Sequence, residues 1–204
     1  AYNDERNLPR LIPKVHSFLS RISDVFEIII IEDGSPDLTA EVADNLAKEY
    51  QHVRVIHHAN NAGYGAALKD GFLNAQYSYM MYTDGDAQYD ITDFEPYLHL
   101  LEKADVLSGY AKIKAVSFRR KAQSLFYNLL CAIFFGVWIP DINCSMKVYK
   151  KEVLSQINIK SSSAFIDAEM MIKVKRLGFT IIQFPVTHFP RTSGNAGGSS
   201  WPVV

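Results

Sequence analysis

Two apolar runs in this chain each stop at a pair of acids, and that arrangement limits the fold more than any other feature. Residues 26–31 are rich in isoleucine without polar alternation and end at Glu32-Asp33-Gly34-Ser35; residues 79–83 are a shorter run ended by Asp84-Gly85-Asp86. An unalternated β-branched run suits a strand covered on both faces, as in a parallel sheet. Helical spacing surrounds these strands. Leu8, Leu11, Ile12, Val15, Phe18, Leu19 and Ile22 recur at helical intervals, with Pro9 early, where its missing N–H is harmless. Further helices are expected over 38–50 and 66–76, with a strand over 53–56 between them. This alternation predicts βαβ units, an α/β fold with a mainly parallel sheet flanked by helices, and ligands at the carboxyl ends of the strands. Both acidic clusters should therefore open into one crevice.

The second half is less regular. It holds a basic stretch (Lys112, Lys114, Arg119, Arg120, Lys121), a long apolar segment, a strand near 146–149, a helix near 167–177, a strand near 180–184 and a Gly/Ser-rich tail from Thr192. The 204 residues read as one domain, an N-terminal nucleotide half and a C-terminal acceptor half, with no repeat or linker. A net charge of -1 argues against nucleic acid as a partner. Only Cys131 and Cys144 are present, too few for a disulfide framework, which points to packing roles and a reducing, cytoplasmic setting. The opening residues are polar and carry no signal-peptide pattern. The most apolar stretch, 125–140, is shorter than the ~20 residues a spanning helix needs.

Asp84-Gly85-Asp86-Ala87-Gln88 offers two carboxylates and an amide oxygen, hard ligands suited to Mg2+ or Mn2+. Asp84, Asp86 and Gln88 are the candidate metal ligands. Taken alone the stretch could be a solvated acidic turn; its position after a buried strand favours the ligand reading. Two carboxylates would neutralise part of a divalent ion and leave positions for diphosphate oxygens.

Six motifs in order extend this reading. They are Ala1-Tyr2-Asn3-Asp4-Glu5-Arg6-Asn7-Leu8-Pro9, Glu32-Asp33-Gly34-Ser35-Pro36-Asp37, Asn61-x-Gly63-x-Gly65-Ala66, Asp84-Gly85-Asp86-Ala87-Gln88, Pro140-Asp141-Ile142-Asn143-Cys144-Ser145-Met146-Lys147 and His188-Phe189-Pro190-Arg191-Thr192-Ser193-Gly194. The set resembles family 2 glycosyltransferases of the GT-A fold, and within them the polyprenyl-phosphate sugar transferases typified by dolichol-phosphate mannose synthase. That resemblance implies a nucleotide-sugar donor, GDP-mannose or UDP-glucose. It implies that Tyr2 and Asp4 lie beside the nucleotide, that Asp33 with Glu32 contacts base or ribose, and that Asp84 reaches ribose, metal or sugar. Gly63 would let the backbone approach the nucleotide, and Arg191 would fork onto the diphosphate. The chain departs from the family at Ser145-Met146, where Gly-Phe is common, and at Leu125, where an Arg is common. The family's usual first strand, ahead of Tyr2, is expected outside this chain, as are any membrane helices after Val204.

A lipid-phosphate acceptor is also implied. Leu125, Phe126, Leu129, Leu130, Ile133, Phe134, Phe135 and Trp138 follow Arg119-Arg120-Lys121, a pattern that fits either a membrane surface or a packing helix. Arg119 and Arg120 are the candidate acceptor-phosphate ligands. A phosphate monoester acceptor is largely ionised near neutral pH, its second pKa being ~6. A hydroxyl acceptor would instead need a general base, for which Asp141 is the candidate and Asp167 and Glu169 the alternates. His57, His58 and His188 read as packed or strand-end residues.

Overall fold

The computed structural model describes residues 1–112 and 118–190, the side chains of 118–121 excepted. Helix α1 (Leu8–Ile22) leads into β1 (Ile28–Glu32), followed by α2 (Thr39–Glu49), β2 (Val53–His57), α3 (Tyr64–Asn74) and β3 (Tyr79–Tyr82). A 3-10 helix (Ile91–Glu102), β4 (Val106–Ala111), α4 (Phe118–Phe135), β5 (Lys147–Lys150), α5 (Lys151–Gln156), α6 (Ile166–Arg176) and β6 (Ile181–Val186) complete the described chain. The expected alternation is present through β3. The 3-10 helix, β4 and α5 were not anticipated, and α3 begins two residues earlier than its periodicity suggested.

Among the described residues the strands form two sheets. β1 and β2 pair in parallel, with Ile28 opposite Val53 and Glu32 opposite His57. The second sheet has the order β3-β5-β4-β6. β4 and β6 are parallel, from Val106 opposite Ile181 to Ala111 opposite Val186, whereas β5 runs antiparallel to both of its neighbours. Both antiparallel pairings involve β5, the one reversed strand of its sheet; the other pairings are parallel. Pro185 is accommodated because β6 lies at a sheet edge, where a missing ladder donor is tolerated.

Apolar side chains fill both faces. Leu8 and Ile12 of α1 pack with Ile28, Ile30, Ala43, Leu46 and Val53 around the first sheet, while Phe18, one turn and a half further on, packs with Phe94, Leu107, Val148 and Phe184 of the second. α1 therefore spans the two sheets. The other face of the second sheet carries Val106 and Tyr149 against Ile166, Met170, Met171 and Val174 of α6. Leu107 and Val106, or Val148 and Tyr149, point to opposite sides, as the pleat requires.

Between β1 and β3 lies a cavity of about 1790 Å3 whose walls include Ile28, Ile30, Tyr79, Met81 and Tyr82. Ala1 pairs with the end of β1: its amino group donates to the Ile31 carbonyl (2.6 Å) and its carbonyl accepts from the Asp33 amide (2.9 Å). None of the described helices is long and apolar enough to cross a membrane.

Candidate active site

Both acidic clusters reach this cavity. Tyr2, Asp4, Asp33, Gly63, Asp84 and Asp86 all line it, together with Asn143, Ser162 and Asp167 from the second half. Burial lowers the pKa of the Ala1 amino group, and Asp4, Asp33, Asp84 and Glu32 all oppose that shift, so four carboxylates gather around one point. The convergence expected from strand ends is what the fold delivers.

On the β1 side the acids are engaged by the chain itself. Asp33 accepts from the Ala62 amide (2.8 Å) and the Gly63 amide (2.9 Å), and its Oδ1 lies 2.6 Å from His58 Nδ1, whose Nε2 lies 3.0 Å from Asp70. Gly63 has φ +92, a conformation that favours glycine, and this turns its amide onto Asp33 as α3 begins. Two residues later a Cβ on Gly65 would lie 2.5 Å from the Ser162 backbone, so glycine is required there for the second half to close on α3. Asp4 is buried, accepts from the Tyr2 amide and from Asn7 Nδ2, and touches Gly85 so closely that a Cβ there would lie 2.7 Å from its Oδ2. Glu32 corrects the sequence reading. Next to Asp33 on a pleated strand it faces the other way, accepting from the Ser35 amide (2.6 Å) and lying 3.4 Å from His57 Nδ1. Burial raises its pKa, but the contacts from Ser35, His57 and Gly34 outweigh that and leave it below the usual carboxylate value. Glu32 braces the loop and does not line the cavity.

On the β3 side the acids are crowded. The Asp84 carboxyl is pushed up to about 7, first by burial and then by Asp86 and Asp167, with Ser145 and Lys147 opposing. The buried Ser145 hydroxyl faces Asp84 yet closes no hydrogen bond of good geometry among the described residues. Ala87 adopts φ +55, strained for a residue with a Cβ, in the turn where the Gln88 amide donates to Asp86 Oδ1 (3.1 Å). The Gln88 side-chain amide donates through Nε2 to the Phe189 carbonyl (3.0 Å), which fastens the chain near His188. Among the described residues no three His, Cys, Asp or Glu side chains gather as a metal-ligand set. Asp84 and Asp86 alone would hold a divalent ion. Mg2+ sites of this kind use one or two carboxylates and complete their shell with phosphate oxygens and water. The crowding of carboxylates at Asp84 fits a cation bound there.

Asp141 is buried, and its Oδ2 accepts from the Ala111 amide (3.2 Å) at the end of β4. It lies close enough to Cys144 to add to burial in pushing that thiol up to about 12. Asn143 of the same loop lines the cavity. Asp167 and Glu169 are both engaged. Glu169 holds the Lys160 and Ser161 amides and Lys173, while Asp167 is ion-paired to Lys147, whose Nζ lies 2.8 Å from Oδ1. Lys147, quoted in the sequence only as the end of a motif, and Tyr64 and Tyr82, given no role there, are all contacts of Asp167. Arg119 and Arg120 fall within α4, but their side chains lie outside the described residues, as does Arg191 altogether.

A sequence profile described as glycosyl transferase family 2 matches residues 1–157. The chain belongs to that family. Its curated relatives include the polyprenol monophosphomannose synthase of Mycolicibacterium smegmatis, 28% identical over 207 residues and covering 95% of this chain and 77% of that protein. The dolichyl-phosphate beta-glucosyltransferase of Trichomonas vaginalis is 29% identical over 204 residues, 91% of this chain and 62% of that one. Glycosyltransferase AglD of Haloferax volcanii is 29% identical over 203 residues, and there the chain spans only 32% of the relative's length. Among solved structures, the glucosyl-3-phosphoglycerate synthase of Mycobacterium tuberculosis, crystallised with Mn2+, UDP-glucose and phosphoglyceric acid, superposes with a TM-score of 0.70 at 18% identity over 94% of this chain and 70% of that one. The family's GT-A fold is therefore the fold seen here, with the acidic pair of β3 in the same cavity as the acids of β1.

Proposed function

We propose that this domain transfers a hexose from a nucleotide sugar, GDP-mannose or UDP-glucose, to a polyprenyl or dolichyl phosphate, with inversion at the anomeric carbon. The observation that carries the reading is the meeting of Asp84 and Asp86 with Asp4 and Asp33 in one cavity. The curated relatives that act on polyprenyl and dolichyl phosphates support the acceptor class.

In this reading Tyr2, Asp4, Asp33 and Gly63 wall the nucleoside, a carboxylate accepting from ribose hydroxyls or base N–H groups and a Tyr ring offering a stacking face. Asp84 and Asp86 hold Mg2+ or Mn2+, and Arg191 forks onto the diphosphate. A bound divalent ion supplies charge neutralisation for the leaving diphosphate. Arg119 and Arg120 receive the acceptor phosphate. That phosphate needs no base to ionise it, which agrees with Asp167 being saturated by Lys147 and two tyrosines. Asp141 then orients the 141–145 loop against the end of β4 and removes no proton.

α4 supports contact with a membrane surface. Leu125, Phe126, Leu129, Ile133 and Phe134 are exposed along it and Trp138 just after it, whereas Cys131 and Phe135 turn inward, Phe135 packing on Phe165. So large an exposed apolar face calls for a partner, and an acceptor with a lipid tail provides one.

Asp141→Asn tests the acceptor class. A lipid-phosphate acceptor predicts that the variant keeps activity within about tenfold of native, because no proton leaves in the transition state. A loss of roughly 100-fold to 10,000-fold, with donor binding and stability intact and recovery at high pH, would identify Asp141 as a general base and move the acceptor to a sugar hydroxyl.

A further inference from the structure

Lys147 on β5 and Asp167 on α6 form a buried ion pair, with 0% and 4% of their side-chain surface exposed. Lys147 uses each ammonium proton: on Asp167 Oδ1 (2.8 Å), on the Tyr82 hydroxyl (2.9 Å) and on the Cys144 carbonyl. Asp167 is equally occupied, its Oδ1 also accepting from Tyr82 and its Oδ2 from the Tyr64 hydroxyl (2.9 Å). Burial and the Asp167 charge both hold the Tyr82 hydroxyl well above its usual pKa, so it stays protonated and donates.

A buried ion pair is a poor stabiliser, since apolar replacements of similar volume are often neutral or better. Its partners suggest what it does instead. Tyr82 closes β3 two residues before Asp84 and lies opposite Lys147 in the sheet. Cys144 lies between Asp141 and Ser145, the residue whose hydroxyl faces Asp84. Tyr64 follows Gly63, whose amide is fixed on Asp33. One pair thus ties together the end of β3, the 141–145 loop and the start of α3, the three walls on which diphosphate, acceptor and nucleoside would meet.

We propose that Lys147 and Asp167 are positioning residues that set the Asp84 carboxylate at a fixed separation from the 141–145 loop and from α3. The inference rests on the transferase reading above for what is positioned. It assigns Asp167 no proton transfer, because both of its oxygens are already committed.

The test is the double variant Lys147→Met/Asp167→Leu in the full-length protein, with Tyr64→Phe beside it. Three quantities are measured: the unfolding midpoint, calorimetric binding of UDP and GDP with and without Mn2+ against uridine and guanosine, and turnover. The expected result is an unfolding midpoint close to native and nucleoside binding within about twofold. The Mn2+ enhancement of diphosphate affinity falls about tenfold, and turnover falls roughly 100-fold, the scale set by a misplacement of about 1 Å. A merely structural pair would move all ligands together or none. A double variant with native Mn2+ enhancement and native turnover overturns the proposal. If the double variant does not fold, Tyr64→Phe decides: losing one hydroxyl from Asp167 should lower the Mn2+ enhancement and turnover several-fold at unchanged stability, about the worth of one hydrogen bond, and native values for both would overturn the proposal. Should the intact protein transfer no sugar to lipid phosphate, the Mn2+ binding arm still decides, so failure of the reaction reading and failure of this inference remain distinct.

Discussion

At the end of β1, Glu32 and Asp33 are enclosed by donors: the Ser35, Ala62 and Gly63 amides and two histidines surround them. At the end of β3, Asp84 meets burial and two further carboxylates, and its pKa climbs to about 7. Both clusters follow strands and both reach the same cavity, yet the first is held by amides and histidines of the chain, whereas the second crowds carboxylates together, with Lys147 and Ser145 opposing. The first can shape a pocket by itself. On the proposed reading, a divalent ion and a diphosphate would be bound at the second.

The comparison predicts opposite consequences for similar substitutions. Asp86→Asn should have the largest effect, a loss of transfer on the order of 1000-fold from weakened stabilisation of the leaving diphosphate, with stability unchanged or raised because like charges are thinned. Kinetics with saturating Mn2+ and a thermal melt would check it, and a destabilised but active variant would break the contrast. Asp33→Asn should act the other way round. Replacing one carboxylate oxygen by an NH2 group leaves one of the two loop amides facing a donor, which should lower stability by about 1–3 kcal/mol, and the donor KM should rise more than turnover falls. Denaturant unfolding alongside steady-state kinetics would show it; a pure turnover defect at native stability would place Asp33 with the β3 group.

The smallest effect sharpens the picture of the β1 side. His57 lies between Asp44 (2.9 Å) and Glu32 (3.4 Å), and the Asp44 contact raises its pKa above the ordinary 6.5, with burial opposing and Glu32 assisting. The folded protein therefore binds this proton more tightly than the unfolded chain does. The resulting stability is fully present below pH 6.5 and fades as pH rises through the folded value. His57→Gln should be less stable than native at acid pH by no more than about 1 kcal/mol, the gap closing toward alkaline pH. Melts across a pH series that show the gap widening upward would contradict it.

Much of the N-terminal half was legible because its signals are local. The isoleucines of β1 mark a covered strand, and α1 repeats its apolar residues with helical period. The meeting of the two acidic clusters followed from strand ends alone. What failed to show depends on pairing across the fold. Glu32 and Asp33 are neighbours on one strand end, and only the pleat decides that Asp33 alone lines the cavity. Gln88 sits among ligand-type residues, and nothing local shows that its Nε2 is held by Phe189, about a hundred residues later. The reversed direction of β5 leaves no trace in its own four residues. Lys147 closes a motif without showing a role there, and its partner appears only when Asp167, 20 residues on, is folded against it. β4 was hidden by its own composition, since Ser108 and Gly109 interrupt the apolar run although residues 106–109 are all buried.

The most direct test of the central claim uses the full-length protein with labelled GDP-mannose and UDP-glucose, vesicles containing a polyprenyl phosphate, and either Mn2+ or excess chelator. The account predicts that label from one of the two donors enters the lipid phase, that chelator stops it, and that Asp86→Asn stops it equally in the presence of Mn2+. Label that stays aqueous with every donor, or that enters the lipid undiminished in chelator, would contradict it.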